Sequence, residues 1–446
     1  MHTDRQGNRL TGATADAVTL FDQAVEAFNL YTGDPVALAD RAIAAAPECT
    51  MAHILKAYLL GLATEPEATA EAITITAHVK TLRMDERERS LLGALEHMLA
   101  GNWSAAAIAL DYHTMHHPHD MLGLQAGLLM DFYRANARNL RDRIARALPH
   151  WSEDRPGYGI VLGLYAFGLE EAGDYARAEA MGREAVERQP LDCWAHHAVA
   201  HVLEMQGRAA DGITWMQSRE PHWSGAENFF KVHNWWHTAV FHLDIGVSDA
   251  VLRIYDEHIR DGSSTVAQDL IDASALLWRA HIQGIDVGDR WGEVAACWAQ
   301  HADGKLYPFN DWHAAMAYLG AERFGDVERL LSGYRQHPSD ANETARWAQE
   351  TGLPLIEGFT AFWRKDYAAA VERLHRGRFI VNSFGGSHAQ RDIIDWTLTE
   401  AAIRAGMKDV AVALANERLA LKPHSPINRR YLARAQDAVS QSGLAA

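Results

Sequence analysis

Read for its hydrophobic and polar positions, the chain repeats one phrase. An apolar-periodic run ends at a small or polar turn, an aromatic or apolar residue follows, and then comes a run with alanine on its inner face. Three copies are closest: Gly101-Asn-Trp103-Ser-Ala-Ala-Ala, Gly173-Asp-Tyr175-Ala-Arg-Ala and Lys365-Asp-Tyr367-Ala-Ala-Ala. Each spells a helix, a tight turn and a second helix. Weaker copies sit at Gly33, Glu65, Asn136, Gly207, Gly246, Gly284, Gly320 and Gly406, so the turns recur every 32 to 45 residues, which is the period of helical hairpin repeats. Pro47, Pro118, Pro149 and Pro190 follow second helices, where proline stops one helix before the next hairpin begins. Between these marks the spacing is helical, as in Leu162, Tyr165, Leu169 and Ala172, without strand-like alternation. The pattern predicts an all-α α-solenoid of about eleven helical hairpins, each burying against its neighbours the face it cannot bury alone.

At 446 residues the length would suit two to four ordinary domains, or one repeating architecture that uses it all. No Pro-, Gly- or Ser-rich linker interrupts the march of turns, so 1–446 reads as one superhelical unit with 1–12 as a frayed tail. Hydrophobic residues at 48% and charged residues at 22% are enough for a sizeable core. The formal charge of −16, from 42 basic and 58 acidic residues, repels phosphate backbones and argues against a nucleic-acid partner. No stretch without Asp, Glu, Lys or Arg exceeds 14 residues, as in Pro156 to Leu169, short of the about 20 that span a bilayer. The opening MHTDRQGNRLTG lacks the apolar core of a secretory signal. Cys49, Cys193 and Cys297 lie far apart without CxxC spacing, which signals neither a disulfide framework nor a thiolate zinc site and fits a reducing cytoplasm.

Histidine changes this picture. Seven of the 24 histidines and five of the 14 tryptophans fall between Asp192 and Ile245. In LDCWAHHAVAHVLEMQGR, His197, His201 and Glu204 stand at i, i+4 and i+7 and share a stripe of about 60° on one helix face. In AENFFKVHNWWHTAVFHLDIG, His233 and His237 share a face, with Asp244 seven residues further on and His242 on the opposite side. Two helices that each offer a histidine pair and a carboxylate suit a divalent metal, for which His197, His201, His233, His237 and Asp244 are the candidate ligands. The same groups suit metal-free acid/base chemistry, and the spacing leaves both open. The bland alternative is a seam between repeats filled by stacked, hydrogen-bonded rings.

Two downstream segments extend the candidate site. In YPFNDWHAAMAYLGA, Asn310 or Asp311 is placed to cap a helix with His313 in its first turn. In NSFGGSHAQRDIIDW, Ser387 and Gln390 have capping-box spacing, so a helix starts at His388 directly after two glycines. Such a start, with Arg391 beside it, can hold a carboxylate or phosphate, whereas in the simpler reading Arg391 pairs with Asp392 or Asp395. His113, His116, His117 and His119 surround Pro118 and read as an exposed connection. There is no Walker A loop, GxSxG elbow, HExxH or dinucleotide GxGxxG, so no nucleotide cofactor is expected.

The phrases WAHHAVAHVLEMQGR, ENFFKVHNWWHTAVFHLDIG, NDWHAAMAYLGA and FGGSHAQRDIIDWTL resemble the tetratricopeptide repeat protein 38 family of bacteria and animals. The resemblance covers the C-terminal three-fifths of the chain, with the candidate site inside 190–400, and implies a TPR-like helical-repeat fold with no assigned chemistry. It places His197, His201, Glu204, His233, His237, His313, Gln390, Arg391 and Asp392 at signature positions. Relatives can carry asparagine at His388, which leaves His388 a lining role only.

Two uses follow. In the first, a small-molecule pocket has His197, His201, Glu204, His233, His237 and His313 as its acid/base groups. Trp194, Trp235, Trp236, Asp311, His388, Gln390, Arg391 and Asp392 line it, and the chemistry expected is hydrolysis or proton transfer. In the second, an interaction scaffold takes a peptide or partner helix in its groove. Either use is compatible with a homo-oligomer.

Overall fold

The computed structural model describes residues 2–380 and 382–442. Eleven turn-linked helix pairs run from Ala15–Leu30 with Pro35–Ala45 to His388–Arg404 with Lys408–Leu421, and the helix Pro426–Ser442 follows. Every one of the turn marks read from the sequence lies at or beside the turn of one pair. The fold is an all-α, TPR-like succession of helical hairpins. No described helix is long and apolar enough to cross a membrane.

The chain divides into two compact units, one of Met1–Val199, Arg219–Lys231 and Asn342–Thr344, the other of Ala200–Ser218, Val232–Ala341 and Ala345–Ala446. Both use one packing rule. In the first unit, Tyr158–Glu171 is buried on all sides from Ile160 to Glu171, whereas its partner Tyr175–Arg188 buries only Ala178, Gly182, Ala185 and Val186. In the second, Pro308–Gly320 is buried from Pro308 to Leu319, and Phe324–Gln336 buries Val327, Leu330, Leu331 and Tyr334. The first helix of such a pair is buried all round and the second is amphipathic, so the second lends its stripe as cover.

The turns explain the punctuation. At Gly173, with φ of 83°, the Gly173 N–H donates to the Glu170 carbonyl at 2.8 Å and the Asp174 N–H to the Leu169 carbonyl at 2.9 Å. This closure satisfies carbonyls that the helix end would leave open, and it needs a left-handed residue after the last helical turn. Nine hairpins close this way, with glycine at six left-handed positions and Ala135, Glu322 and Lys365 at the other three. The marks at Asn136 and Gly320 therefore stand one or two residues away from the left-handed residue itself.

One expectation is corrected. Residues 1–12 were expected to fray, yet His2–Thr3 pairs antiparallel with Arg9–Leu10. The Asp4 carboxylate accepts the N–H groups of Gln6 at 3.0 Å and Asn8 at 2.7 Å. Leu10 is buried and the Arg5 N–H donates to Asp22 at 3.0 Å. A carboxylate folding its own turn and one apolar anchor order this segment, and hydrophobic periodicity reports neither.

In the pair Leu353–Trp363 and Tyr367–Gly377 the helices approach through facing glycines. A Cβ on Gly358 would come within 2.7 Å of Leu374, and one on Gly377 within 2.7 Å of Leu355. Gly358→Ala is expected to cost about 1–3 kcal/mol through overpacking. Gly333→Ala, at a helical site with nothing within 4 Å, is expected to gain about 0.5–1 kcal/mol. Urea unfolding of the two variants beside the parent checks both signs.

Candidate metal centre

The histidines of the second unit come together because two helices present them to one spot, and a third brings a carboxylate. His201 lies on Cys193–Met205, and His233 and His237 lie one turn apart on Lys231–Ile245. Each of the three offers a ring nitrogen, and these nitrogens lie within 4.8 Å of one another. The ring centroids of His201 and His237 are 4.6 Å apart and those of His233 and His237 4.9 Å. All three residues are buried. The third helix, Ala267–Ile282, brings Asp272, whose two carboxylate oxygens each stand 2.9 Å from His233 Nδ1. His237 Nδ1 donates to Glu204 Oε2 at 2.9 Å. These bonds hold both rings by Nδ1 and leave Nε2 as the nitrogen for a ligand, as in metal sites where a carboxylate orients the ligand imidazole. Burial, reinforced by His201, pushes the His237 pKa down to about 3 against the pull of Glu204, so at neutral pH this imidazole is neutral and competent to bind a metal.

Around this centre runs a network of charges. Burial alone would raise the Glu204 carboxyl, but Lys422 and the hydrogen bond from His237 hold it well below the usual carboxylate range. Lys422 Nζ bridges Glu204 Oε1 and Asp392 Oδ2, at 3.3 Å each. Asp392 also accepts from Arg418 at 2.7 and 3.2 Å and from Trp396 Nε1 at 2.9 Å. Arg279 lies between the faces of Trp236, at 5.1 Å, and Trp396, at 5.9 Å, and donates to the Ala389 carbonyl at 2.7 Å. A cavity of about 20 Å³ opens among Glu204, Asp244, Arg279, Asp392 and Lys422. That is room for a water or a small ion, whereas a metabolite site needs several hundred cubic ångströms.

The remaining candidates have partners of their own. Asp244 accepts from Ser425 Oγ at 2.5 Å and is outside the ligand group, since seven residues beyond His237 carry it about 10 Å along the helix. His197, one turn before His201 on the same helix, belongs to the first unit, where it packs against Phe167, Trp194 and Phe230. Trp194 stacks on Tyr31 with centroids 5.5 Å apart, also within the first unit. Trp235 stacks on His258, leaving Trp236, stacked on His233 at 5.4 Å, as the tryptophan that walls the centre. His313 Nδ1 donates to the Phe309 carbonyl at 2.7 Å, burial pushes its pKa down to about 3, and its ring packs on Phe309 and Trp312. It is not in the ligand group.

Helix Pro308–Gly320 starts earlier than expected, after Tyr307, with no side-chain cap. Asp311 instead accepts from the Gly304 N–H at 3.2 Å and the Tyr334 hydroxyl at 2.6 Å, tying down the loop before the helix. The capping box of Ser387 and Gln390 forms as read. Arg391 closes back on the Gly386 carbonyl and on His388 Nδ1, serving the cap. His113, expected in an exposed loop, lies buried in the last turn of the helix Trp103–His116 and stands 3.2 Å from Asp120.

Sequence reasoning missed Asp272, Arg279, Arg418 and Lys422. Asp272 and Arg279 did leave a signal: they are charges at i and i+7 in the otherwise apolar run LIDASALLWRA, and a charge is buried in such a run only with a partner. Removing Asp392 leaves Arg418 buried without its counter-charge and Lys422 with Glu204 alone, so Asp392→Ala is expected to cost about 3–5 kcal/mol in urea unfolding. Burial, and then Asp303, push the Asp311 pKa up to about 7, so the native state keeps a proton that the unfolded chain gives up above its ordinary value of 3.8. Stability from this group is present below that value and lost as pH rises towards 7. Asp311→Asn is therefore expected to gain on the parent, by up to about 1.4 kcal/mol per pH unit, as unfolding is repeated from pH 4 to 7.

No protein-family model matches the chain. Among solved structures, it aligns with human IFIT1, in a dimer with PPP-AAAA, at 13% identity and a TM-score of 0.40, covering 96% of this chain and 95% of that one. It aligns with yeast Tom70 at 13% identity and a TM-score of 0.36, covering 96% and 89%, and with Cut9 in the APC/C Cut9-Hcn1 hetero-tetramer at 12% and 0.34, covering 95% and 84%.

Proposed function

We propose that the second unit binds one divalent cation of the zinc class through His201, His233 and His237, and that the protein works through this centre. The observation that carries the reading is the pair of carboxylates on the ring Nδ1 atoms: Asp272 on His233 and Glu204 on His237, at 2.9 Å each. Stacked histidines in a repeat seam need no such orientation, whereas metal ligands are held this way. Ligand nitrogens about 2.0–2.1 Å from zinc stand roughly 3.3 Å apart in a tetrahedron, so nitrogens within 4.8 Å need only small ring rotations. A cation there that keeps one position for water would acidify it for hydrolysis. Lys422 and Arg279 would hold Glu204 and Asp392 as anions around it. Membership of the tetratricopeptide repeat protein 38 family is part of this reading, because its signature phrases carry all three histidines. The three free cysteines suit a reducing compartment, the cytoplasm.

A second reading, the interaction scaffold, has its own observation. On Trp103–His116, Ile108, Tyr112 and Met115 stand at i, i+4 and i+7 and are 58%, 62% and 45% exposed. An apolar stripe at that spacing fits an amphipathic partner helix, and helical-repeat folds suit such a role.

Elemental analysis of tag-free protein tests the metal. The expected result is about one zinc, iron or manganese per chain, lost in His233→Ala and His237→Ala. In Asp272→Asn it is bound roughly 10–100-fold more weakly in a chelator competition. A folded parent that contains no metal and takes up none on titration with zinc overturns the reading.

A further inference from the structure

The first unit contains a separate cavity, independent of the histidine centre, of about 70 Å³ under the N-terminal hairpin. The hairpin is fixed as its roof: Gln6 Nε2 donates to the Pro156 carbonyl at 2.6 Å, and Arg155 Nη1 donates to the Gln6 carbonyl at 3.3 Å. Phe21, Met121 and Ile160 give it apolar walls, and Asp4, Asp22, Glu26, Asn29 and Asp120 give it oxygens.

Its charges do not balance. The charge of Asp120 is taken by Arg87 and by the His113 ring. Asp4, Asp22 and Glu26 share the cavity with one guanidinium, that of Arg5, which reaches Glu26 Oε2 at 3.0 Å from the rim, where both side chains are over 40% exposed. Three carboxylates against one cation leave a formal charge of −2. A second observation points inward. Asn29 is fully buried; its Nδ2 donates to the Val25 carbonyl at 2.8 Å, and its Oδ1 has no hydrogen-bond partner. A buried amide oxygen without a donor costs free energy that a ligand N–H would recover. Burial raises the Asp4 and Asp22 carboxyls above their ordinary value, as it does where anions lack a full complement of cations.

We infer that this cavity binds a small primary alkylammonium ion, its N–H donors on Asn29 Oδ1 and the Glu26 carboxylate and its methylenes against Phe21, Met121 and Ile160. A bare metal ion fits less well. Among the described residues, the groups of three or more ligand atoms close enough to hold one lie elsewhere, whereas an ammonium needs only the Asn29 and Glu26 oxygens beside an apolar wall. The volume suits a chain of a few carbons, and the mixed lining of carboxylates and apolar walls separates a charged head from its tail.

Isothermal titration of the full-length protein with n-butylammonium, with n-butanol and butyrate as neutral and anionic counterparts of the same length, tests this. Saturable one-to-one binding of butylammonium alone is expected, weakened about tenfold or more in Asn29→Leu and in Glu26→Gln. Glu26→Gln is a rim change that keeps the fold even where Asn29→Leu unfolds it, so the pair decides the matter by itself. Absence of saturable binding, equal binding of butanol, preference for calcium, or binding untouched by Glu26→Gln each overturns the assignment.

Discussion

A helix that is buried on every side has to be covered on every side, and the hairpins of this protein are built around that constraint. Tyr158–Glu171 in one unit and Pro308–Gly320 in the other have no face to give to water. Each is followed by a helix that buries a single stripe, and the two are held antiparallel by a turn too short to permit another arrangement. The turn is possible because one residue takes a left-handed conformation and returns the N–H groups of the turn to the last carbonyls of the helix. Apolar cover, turn geometry and repeat period are thus one requirement seen at three scales.

The same cover makes the ionisable groups consequential. Once Glu204, Asp272, Arg279, Asp392, Arg418 and Lys422 are withdrawn from water, each must find a partner of opposite charge or a hydrogen bond. The partners found are one another and the histidines. His233 and His237 are thereby oriented rather than merely packed, with Asp272 and Glu204 holding the rings by Nδ1. Asp311 shows the opposite outcome. It was read as a lining residue, but burial beside Tyr334 and the Gly304 N–H gives it a loop to hold and keeps a proton on it.

The sequence by itself determined the helical class, the eleven hairpins, the capping box at Ser387 and the sharing of faces by His197 with His201 and by His233 with His237. All of these depend on residues within a few positions of each other, where the geometry of a single helix or turn is enough. Tertiary structure alone decided which candidates meet. It brought Asp272 to His233 across 39 residues and Lys422 to Glu204 across 218, while sending Asp244, His313 and Trp235 elsewhere. It also closed the N-terminal hairpin over a cavity that no periodicity announces. Helical spacing fixes the angle of a side chain around its own axis, but the choice of neighbour depends on how the helices of each unit pack, and that is set by the summed burial of many residues rather than by any motif.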